Sequence, residues 1–208
     1  MVTQPTGTVT ILFSDLVGST EAMERAGEGE GQRLLGGLLS RIREVAHAYS
    51  GQEVKNLGDG MEVAFTSAIA ALDAATAMQR SIEWESHARA FPLSLRIGVN
   101  VCEASISDGD YWGLSVVVAK RLCDSADGRQ ILVSGLVKEL VSDRAQWKFR
   151  PLGARSLKGI SRPIEIFEFL WTPLDHSPTL PLRSGPEQEQ KALSRFLRAV
   201  RHPEREVR

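Results

Sequence analysis

Cysteine is nearly absent: the 208 residues hold two, Cys102 and Cys123, outside any Cys-x-x-Cys spacing. That argues against a disulfide framework and against a thiolate zinc site, and leaves two buried thiols in a reducing compartment as the expectation. No apolar run reaches the ~20 residues that a membrane-spanning helix needs. The opening Met1-Val2-Thr3-Gln4-Pro5 lacks the basic and apolar stretches of a secretion signal. Surplus charge is missing as well, with 25 basic and 26 acidic residues. No basic field therefore points to nucleic acid or to an anionic membrane. The four histidines, His47, His87, His176 and His202, are scattered. They do not form the His–Asp clusters of a two-metal phosphohydrolase. The content of 42% hydrophobic and 25% charged residues predicts one cytoplasmic globular domain with a sizeable core.

What is there alternates between two periods. Residues 8–13 (Thr-Val-Thr-Ile-Leu-Phe) are β-branched and apolar and predict a central strand. A helix follows, with Ser19 or Thr20 as its cap. The glycine-rich stretch 27–31 predicts a break, and helical spacing resumes over residues 32–49, with Leu34, Leu35, Leu38, Leu39, Ile42, Val45 and Ala46 on one face. Residues 53–56 and 61–65 flank Asp59-Gly60, a strong hairpin signal. An alanine-rich helix is expected over 67–90, a strand over 93–101, a polar turn at 107–110 and a helix over 113–125. A strand at 130–133, a short helix at 134–141 and a hairpin of 147–152 with 164–170 close the pattern. The order β-α-β-β-α-β reads as an α+β, ferredoxin-like core with additional C-terminal strands and helix. After residue 171 the chain turns to Pro173, Pro178, Pro181 and Pro186 among polar residues. Residues 1–171 are expected to form the domain, and 172–208 a Pro-rich linker and polar tail with a short helix over 191–200.

Two acids stand where chemistry is possible. Asp15 follows an apolar strand directly, and Asp59 sits at a hairpin tip between glycines. On neighbouring strands their carboxylates would converge, and hard cations such as Mg²⁺ need only a few carboxylate oxygens plus water and phosphate. Each alone also reads as an ordinary helix-start acid or turn former. Gly18-Ser19-Thr20, ahead of a helix, offers backbone N–H groups to a triphosphate. Lys55 could donate to a base from the strand entering the turn, or be a solvated strand lysine. Asp110 could accept from an exocyclic amine, or be a helix N-terminal acid.

Five segments taken in order carry a family resemblance. Phe13-Ser14-Asp15-Leu16-Val17-Gly18-Ser19-Thr20 resembles the first metal-binding motif of class III adenylyl and guanylyl cyclases, and Lys55-Asn56-Leu57-Gly58-Asp59-Gly60 the second. Arg96-Ile97-Gly98-Val99 resembles the strand before the dimerisation arm, and Asp110-Tyr111-Trp112-Gly113 the segment with the second base-selecting residue. Leu157-Lys158-Gly159 with Pro163-Ile164-Glu165-Ile166-Phe167 is similar to the closing hairpin. The style is that of short bacterial, particularly actinobacterial, cyclase domains. The resemblance implies a head-to-tail homodimer that converts ATP to 3′,5′-cyclic AMP and pyrophosphate with two Mg²⁺ or Mn²⁺ ions per site. One subunit would supply Asp15 and Asp59 for the metals, the other Lys55 and Asp110 for the base and Arg121 for the phosphates. Gly18, Ser19, Thr20 and Lys158 complete the implied substrate contacts. Lysine with aspartate is the pair associated in the family with adenine.

One departure matters. Four residues before Arg121 the family usually carries an asparagine that orients the ribose, and this chain has Val117. Loss of one oriented donor can lower a rate on the order of 10²–10³-fold. The expectation is a slow enzyme. A catalytically silent cyclase-like domain that binds nucleotide or dimerises is the alternative. A diguanylate cyclase is disfavoured by the absence of a Gly-Gly-(Asp/Glu)-Glu-Phe-like signature.

Overall fold

The computed structural model describes residues 6–89, 93–107 and 109–172. The expected linker beyond Thr172 and the expected helix at 191–200 lie outside these residues. In chain order the elements are β1 (Thr6–Val17), α1 (Ser19–Ala26), α2 (Glu28–Ala48), β2 (Gln52–Asn56), β3 (Gly60–Phe65), α3 (Ala68–Arg89) and β4 (Ser94–Ser107). They continue with β5 (Asp110–Trp112), α4 (Leu114–Asp124), β6 (Ile131–Ser134), α5 (Gly135–Leu140), β7 (Lys148–Arg155) and β8 (Ile164–Leu170). All strands join one sheet in the order β2-β3-β1-β4-β6-β8-β7, with β5 paired to β4. The β2-β3-β1-β4 portion is the expected ferredoxin-like βαββαβ core. The strands β6, β8 and β7 extend it past β4, and only β4 and β6 run parallel.

β1 sits between β3 and β4 and is buried on both faces. Ile11 and Phe13 pack with Val116, Ala119 and Cys123 of α4, and with Cys102 and Ala104 of β4. Leu12 and Leu16 are equally buried, and period-two alternation turns them to the opposite face. There α3 packs on β1 and β4, and α2 packs on α3. The alanines of α3 (Ala71, Ala74, Ala75, Ala77) are fully buried, so this helix lies close to the sheet.

Four expectations are corrected. β1 runs on through Asp15 to Val17 because backbone pairing on both sides continues past the polar Ser14-Asp15. Neither Ser19 nor Thr20 caps α1, whose N-cap is Gly18 in the left-handed region at φ 88° without a side-chain cap. The break between α1 and α2 is the single residue Gly27 (φ 78°), and Gly29 and Gly31 lie within α2. β4 extends to Ser107 and returns through β5, which places Asp110 on a strand rather than at a helix start.

Gly98 of β4 holds α4 against the sheet. A Cβ there would lie 2.2 Å from the Cys123 nitrogen and 2.4 Å from the Ala119 oxygen. Those are backbone atoms, so relief requires moving the helix. Gly98→Ala should therefore lower stability by ~1–3 kcal/mol, read as a reduced urea midpoint, whereas Gly36→Ala on the open face of α2, where a Cβ meets nothing, should not.

Candidate active site

Asp15, Gly60 and Arg96 stand directly opposite one another on β1, β3 and β4. Directly opposed residues share a face, so this row lies on the α4 side of the sheet. The Arg96 Nε donates to Asp15 Oδ2 at 2.7 Å, and its Nη2 reaches the same oxygen. Asp59 leaves the hairpin just beyond. Its backbone oxygen accepts from the Leu16 N–H at 2.9 Å, and its Oδ2 accepts from the buried Ser19 hydroxyl at 3.0 Å. Burial raises the Asp15 pKa, the Arg96 hydrogen bond lowers it, and the charge of Asp59 raises it again. The two acids of the sequence reading are therefore close enough to repel.

A divalent cation suits this arrangement. A Cβ at position 60 would stand 2.2 Å from the Ser14 oxygen and 3.1 Å from Asp15 Oδ1, so glycine leaves room beside that carboxylate. Among the described residues no group of three or more His, Cys, Asp or Glu converges. Two carboxylates are what a Mg²⁺-type site with water and phosphate ligands requires.

A second cluster gathers residues far apart in the sequence. A bulge between Glu53 and Lys55 resets the β2–β3 register and puts Lys55 opposite Glu62. The Lys55 Nζ lies 2.5 Å from Asp110 Oδ2 and 4.9 Å from the centre of the Trp112 ring. The Asp110 hydrogen bond holds the lysine pKa above its ordinary value. Glu62 is opposite Phe13 on its other side and only 3% exposed. Its Oε1 has no hydrogen-bond partner among the described residues. Burial pushes its pKa up to about 7, against a smaller lowering by Lys55.

On α4, Val116 and Ala119 enter one core cluster and Val118 and Leu122 another. Val117 and Arg121, one turn apart, are left on the remaining face, both partly exposed. Arg121 donates from Nε to the Lys158 backbone oxygen at 3.1 Å and from Nη1 to Asp124 Oδ2 at 2.9 Å. Lys158 thus meets Arg121 through its main chain, and its side chain is exposed. Thr20 is exposed at the start of α1, beside Gly18. The structure brings Asp15 to Asp59 and Lys55 to Asp110, and it sets Arg121 apart on its helix.

Sequence reasoning passed over Arg96 and Glu62 as site residues. Arg96 lay inside a quoted motif and was readable only with the β1–β4 register. Glu62 had a visible signal, a lone acid in the apolar run Met61-Glu62-Val63-Ala64-Phe65.

Comparison with known proteins identifies the family and the fold. The family profile described as the adenylate and guanylate cyclase catalytic domain matches residues 1–170. A Rhizobium meliloti protein provisionally named adenylate cyclase 3 is 30% identical over 171 residues, 80% of this chain and 28% of that protein. A pH-sensitive adenylate cyclase of Mycobacterium tuberculosis is 30% identical over 167 residues, 76% of this chain and 40% of its own length. The chain therefore spans well under two thirds of these relatives. Among solved structures, the adenylyl cyclase CyaB of P. aeruginosa superposes with a TM-score of 0.74 at 27% identity, covering 85% of this chain and all of that one. An adenylate/guanylate cyclase/hydrolase of Silicibacter pomeroyi gives 0.70 at 31% identity, with 80% and 98% covered. The fold is that of the class III cyclase catalytic domains.

Glu62 makes stability depend on pH. Its folded pKa lies above the ordinary 4.5, so the folded state binds the extra proton. The contribution is present below about pH 4.5 and lost as pH rises to about 7. The lost stability is on the order of 3 kcal/mol. Glu62→Gln should remove this decline, so that the variant gains on the parent between pH 4.5 and 7 in urea unfolding. Parallel profiles would show that the buried carboxyl is not shifted.

Proposed function

Because the chain belongs to the adenylate and guanylate cyclase catalytic domain family, we propose that it closes ATP to 3′,5′-cyclic AMP with release of pyrophosphate. The observation that carries the choice of base is the Lys55–Asp110 pair at 2.5 Å. It sets a donor beside an acceptor, as needed for N1 and the N6 amine of adenine. Guanine presents a hydrogen at N1 and an oxygen at position 6, the opposite pattern. A mismatch left buried costs ~1–3 kcal/mol per group. We assign residues 1–171 as the catalytic domain and 172–208 as a linker and tail, and place the protein in the cytoplasm. No helix among the described residues is long and apolar enough to cross a membrane.

Asp15 and Asp59 would hold Mg²⁺ or Mn²⁺, two ions per site on this reading. Ions bound there would supply charge that favours ionisation of the ribose 3′-hydroxyl and neutralises the leaving phosphates. Gly18, Ser19 and Thr20 present the start of α1 to the triphosphate, with Lys158 nearby in charge. Arg121 leaves Asp124 for the phosphates as the O3′–Pα bond forms and the bond to pyrophosphate breaks. Arg96 keeps the Asp15 carboxylate ionised and aimed.

The site is shared between two chains arranged head to tail. Exposed apolar side chains flank the motifs: Val17 after Asp15, Leu57 after Lys55, and Trp112 and Leu114 after Asp110. Trp112 is 56% and Leu114 71% exposed, and an interface would bury them. Asp15→Ala or Asp59→Ala should abolish Mn²⁺-dependent turnover. A mixture of Asp15→Ala and Lys55→Ala chains should recover part of it, because one composite site is then intact. No recovery despite demonstrated heterodimers would rule out the shared site, and full activity of both aspartate variants would move the site elsewhere.

Val117 makes this enzyme slow. A second reading, a catalytically silent nucleotide-binding or dimerising domain, is favoured by that residue and by the Pro-rich sequence after residue 171. Val117 is partly exposed and belongs to neither core cluster around α4, so in the single chain an amide there is not sealed from water. Val117→Asn should raise kcat by about tenfold or more with little change in apparent ATP affinity, as expected for a donor that acts in the transition state. Its stability should stay within about 0.5 kcal/mol of the parent. An unchanged or lower kcat in a folded variant would show that the ribose is held by another group.

A further inference from the structure

The buried carboxyl of Glu62, whose Oε1 has no hydrogen-bond partner among the described residues, is not accounted for by the two clusters as described so far. It is 97% removed from solvent in a strand whose six residues are all buried. Phe13 opposes it on β1 and Lys55 on β2. The charged groups that act on it among the described residues are Lys55, which favours its ionised form, and Asp110, which opposes it. Cys102 on β4 feels it in turn, and its thiol is pushed up to about 12, mainly by burial. No other titratable group on β1, β4 or α4 is recorded as acting on Glu62. Leaving such a carboxyl unpaired is unfavourable, and native folds rarely do so away from functional sites. An aliphatic residue at position 62 would continue the run Met61, Val63, Ala64, Phe65 without that penalty.

Two carboxyls act on Lys55, those of Asp110 and Glu62, and it pairs with the first. Asp110 holds the ammonium from the β5 side at the surface, while Glu62 stands opposite it from within the sheet. We propose that Glu62 is a positioning residue for purine recognition: from beneath Lys55 its carboxyl sets how far the ammonium is drawn from Asp110, and so how strongly the pair separates adenine from guanine. A neutral Glu62 leaves Lys55 beside Asp110, with donor and acceptor side by side at the surface. An ionised Glu62 competes for the ammonium, draws it into the sheet and separates the two. The inference rests on the assignment of Lys55 and Asp110 to the base, and adds a third residue that touches neither substrate nor metal.

The test compares the parent with Glu62→Gln and Glu62→Met, both uncharged at every pH, the second also free of an unpaired polar atom. The readout is the ratio of kcat/KM for ATP to that for GTP between pH 6 and 8.5. Effects that act on both nucleotides alike cancel in the ratio. In the parent the ratio should fall roughly threefold to tenfold through the neutral range, the size expected when one hydrogen bond to the base is weakened. In both variants it should stay flat, with kcat on ATP at low pH within about twofold of the parent. A parent ratio independent of pH, or a fall that persists in the variants, would overturn the proposal. A second measurement needs no turnover. The ¹³Cε signal of Lys55, assigned with Lys55→Arg, should shift with a neutral midpoint in the parent and lose that step in Glu62→Gln. If neither nucleotide is converted, the cyclase reading fails, and the lysine signal alone decides whether Glu62 governs Lys55. A Lys55 signal indifferent to Glu62 overturns the proposal even in an active enzyme.

Discussion

The double pairing of β1 is the constraint on which the site depends. Twelve residues of this strand are bonded to β4 and six of them also to β3, so its polar end is as fixed as its apolar middle. Asp15 consequently has no freedom to leave the row it shares with Gly60 and Arg96. Fixed backbone on both sides lets a carboxylate point out of the sheet without the entropic cost of ordering a loop. The same register carries the row one step inward to Phe13, Glu62 and Gly98, with Lys55 across from Glu62. Asp15, proposed for metal, and Lys55, proposed for the base, therefore belong to adjacent rows of one sheet face.

Helix α4 depends on that face in turn. Gly98 admits it to backbone contact, and Val116, Ala119 and Cys123 seat it over Ile11 and Phe13. Leu122 and Val118 anchor its other flank against Leu132 and Ile166. With two flanks buried, one narrow face remains, and it carries Val117 and Arg121. The position of Arg121, the arginine proposed for the phosphates, is thus set by the packing of core residues on either side of it. Asp124 and the Lys158 carbonyl hold its guanidinium in the meantime.

Much of this was legible in the sequence. The strand and helix order followed from periodicity, and five motifs in order pointed to the family that comparison then showed. Asp15, Asp59, Lys55 and Asp110 were singled out as candidates before any geometry was known. What could not be read was register. Whether Lys55 shares a face with Glu62 depends on a bulge at Glu53–Lys55, which local sequence does not announce. Asp110 was placed near a helix start because the short β5 has only three residues, and its pairing partner is the unexpectedly long end of β4. Arg96 escaped notice because its role exists only opposite Asp15, 81 residues away. Local propensity speaks about the element a residue belongs to, and says nothing of what stands across the sheet.

The ion pairs of the site differ in what it takes to open them, and the difference fits the proposed sequence of events. Lys55 is 42% exposed and Asp110 18%, Arg121 33% and Asp124 32%. Pairs as open to water as these contribute ~0–1 kcal/mol. A nucleotide can therefore take over the lysine, the aspartate and the arginine at little cost, while the pairs keep each charge satisfied in the free protein. The Asp15–Arg96 contact is more enclosed, at 16% and 30% exposure, and is backed by two nitrogens on one oxygen. It leaves Asp15 Oδ1 uncommitted toward the space beside Gly60. A cation can thus be received there without first breaking the arginine contact, and Arg96 continues to hold the carboxylate while the second acid, Asp59, contributes from the turn. Among the described residues Glu62 is the one acid with a buried carboxyl oxygen left without a partner. It is also buried, so a ligand from outside does not reach it. On the proposal made above, its influence on nucleotide binding passes through Lys55, its neighbour across the sheet on β2.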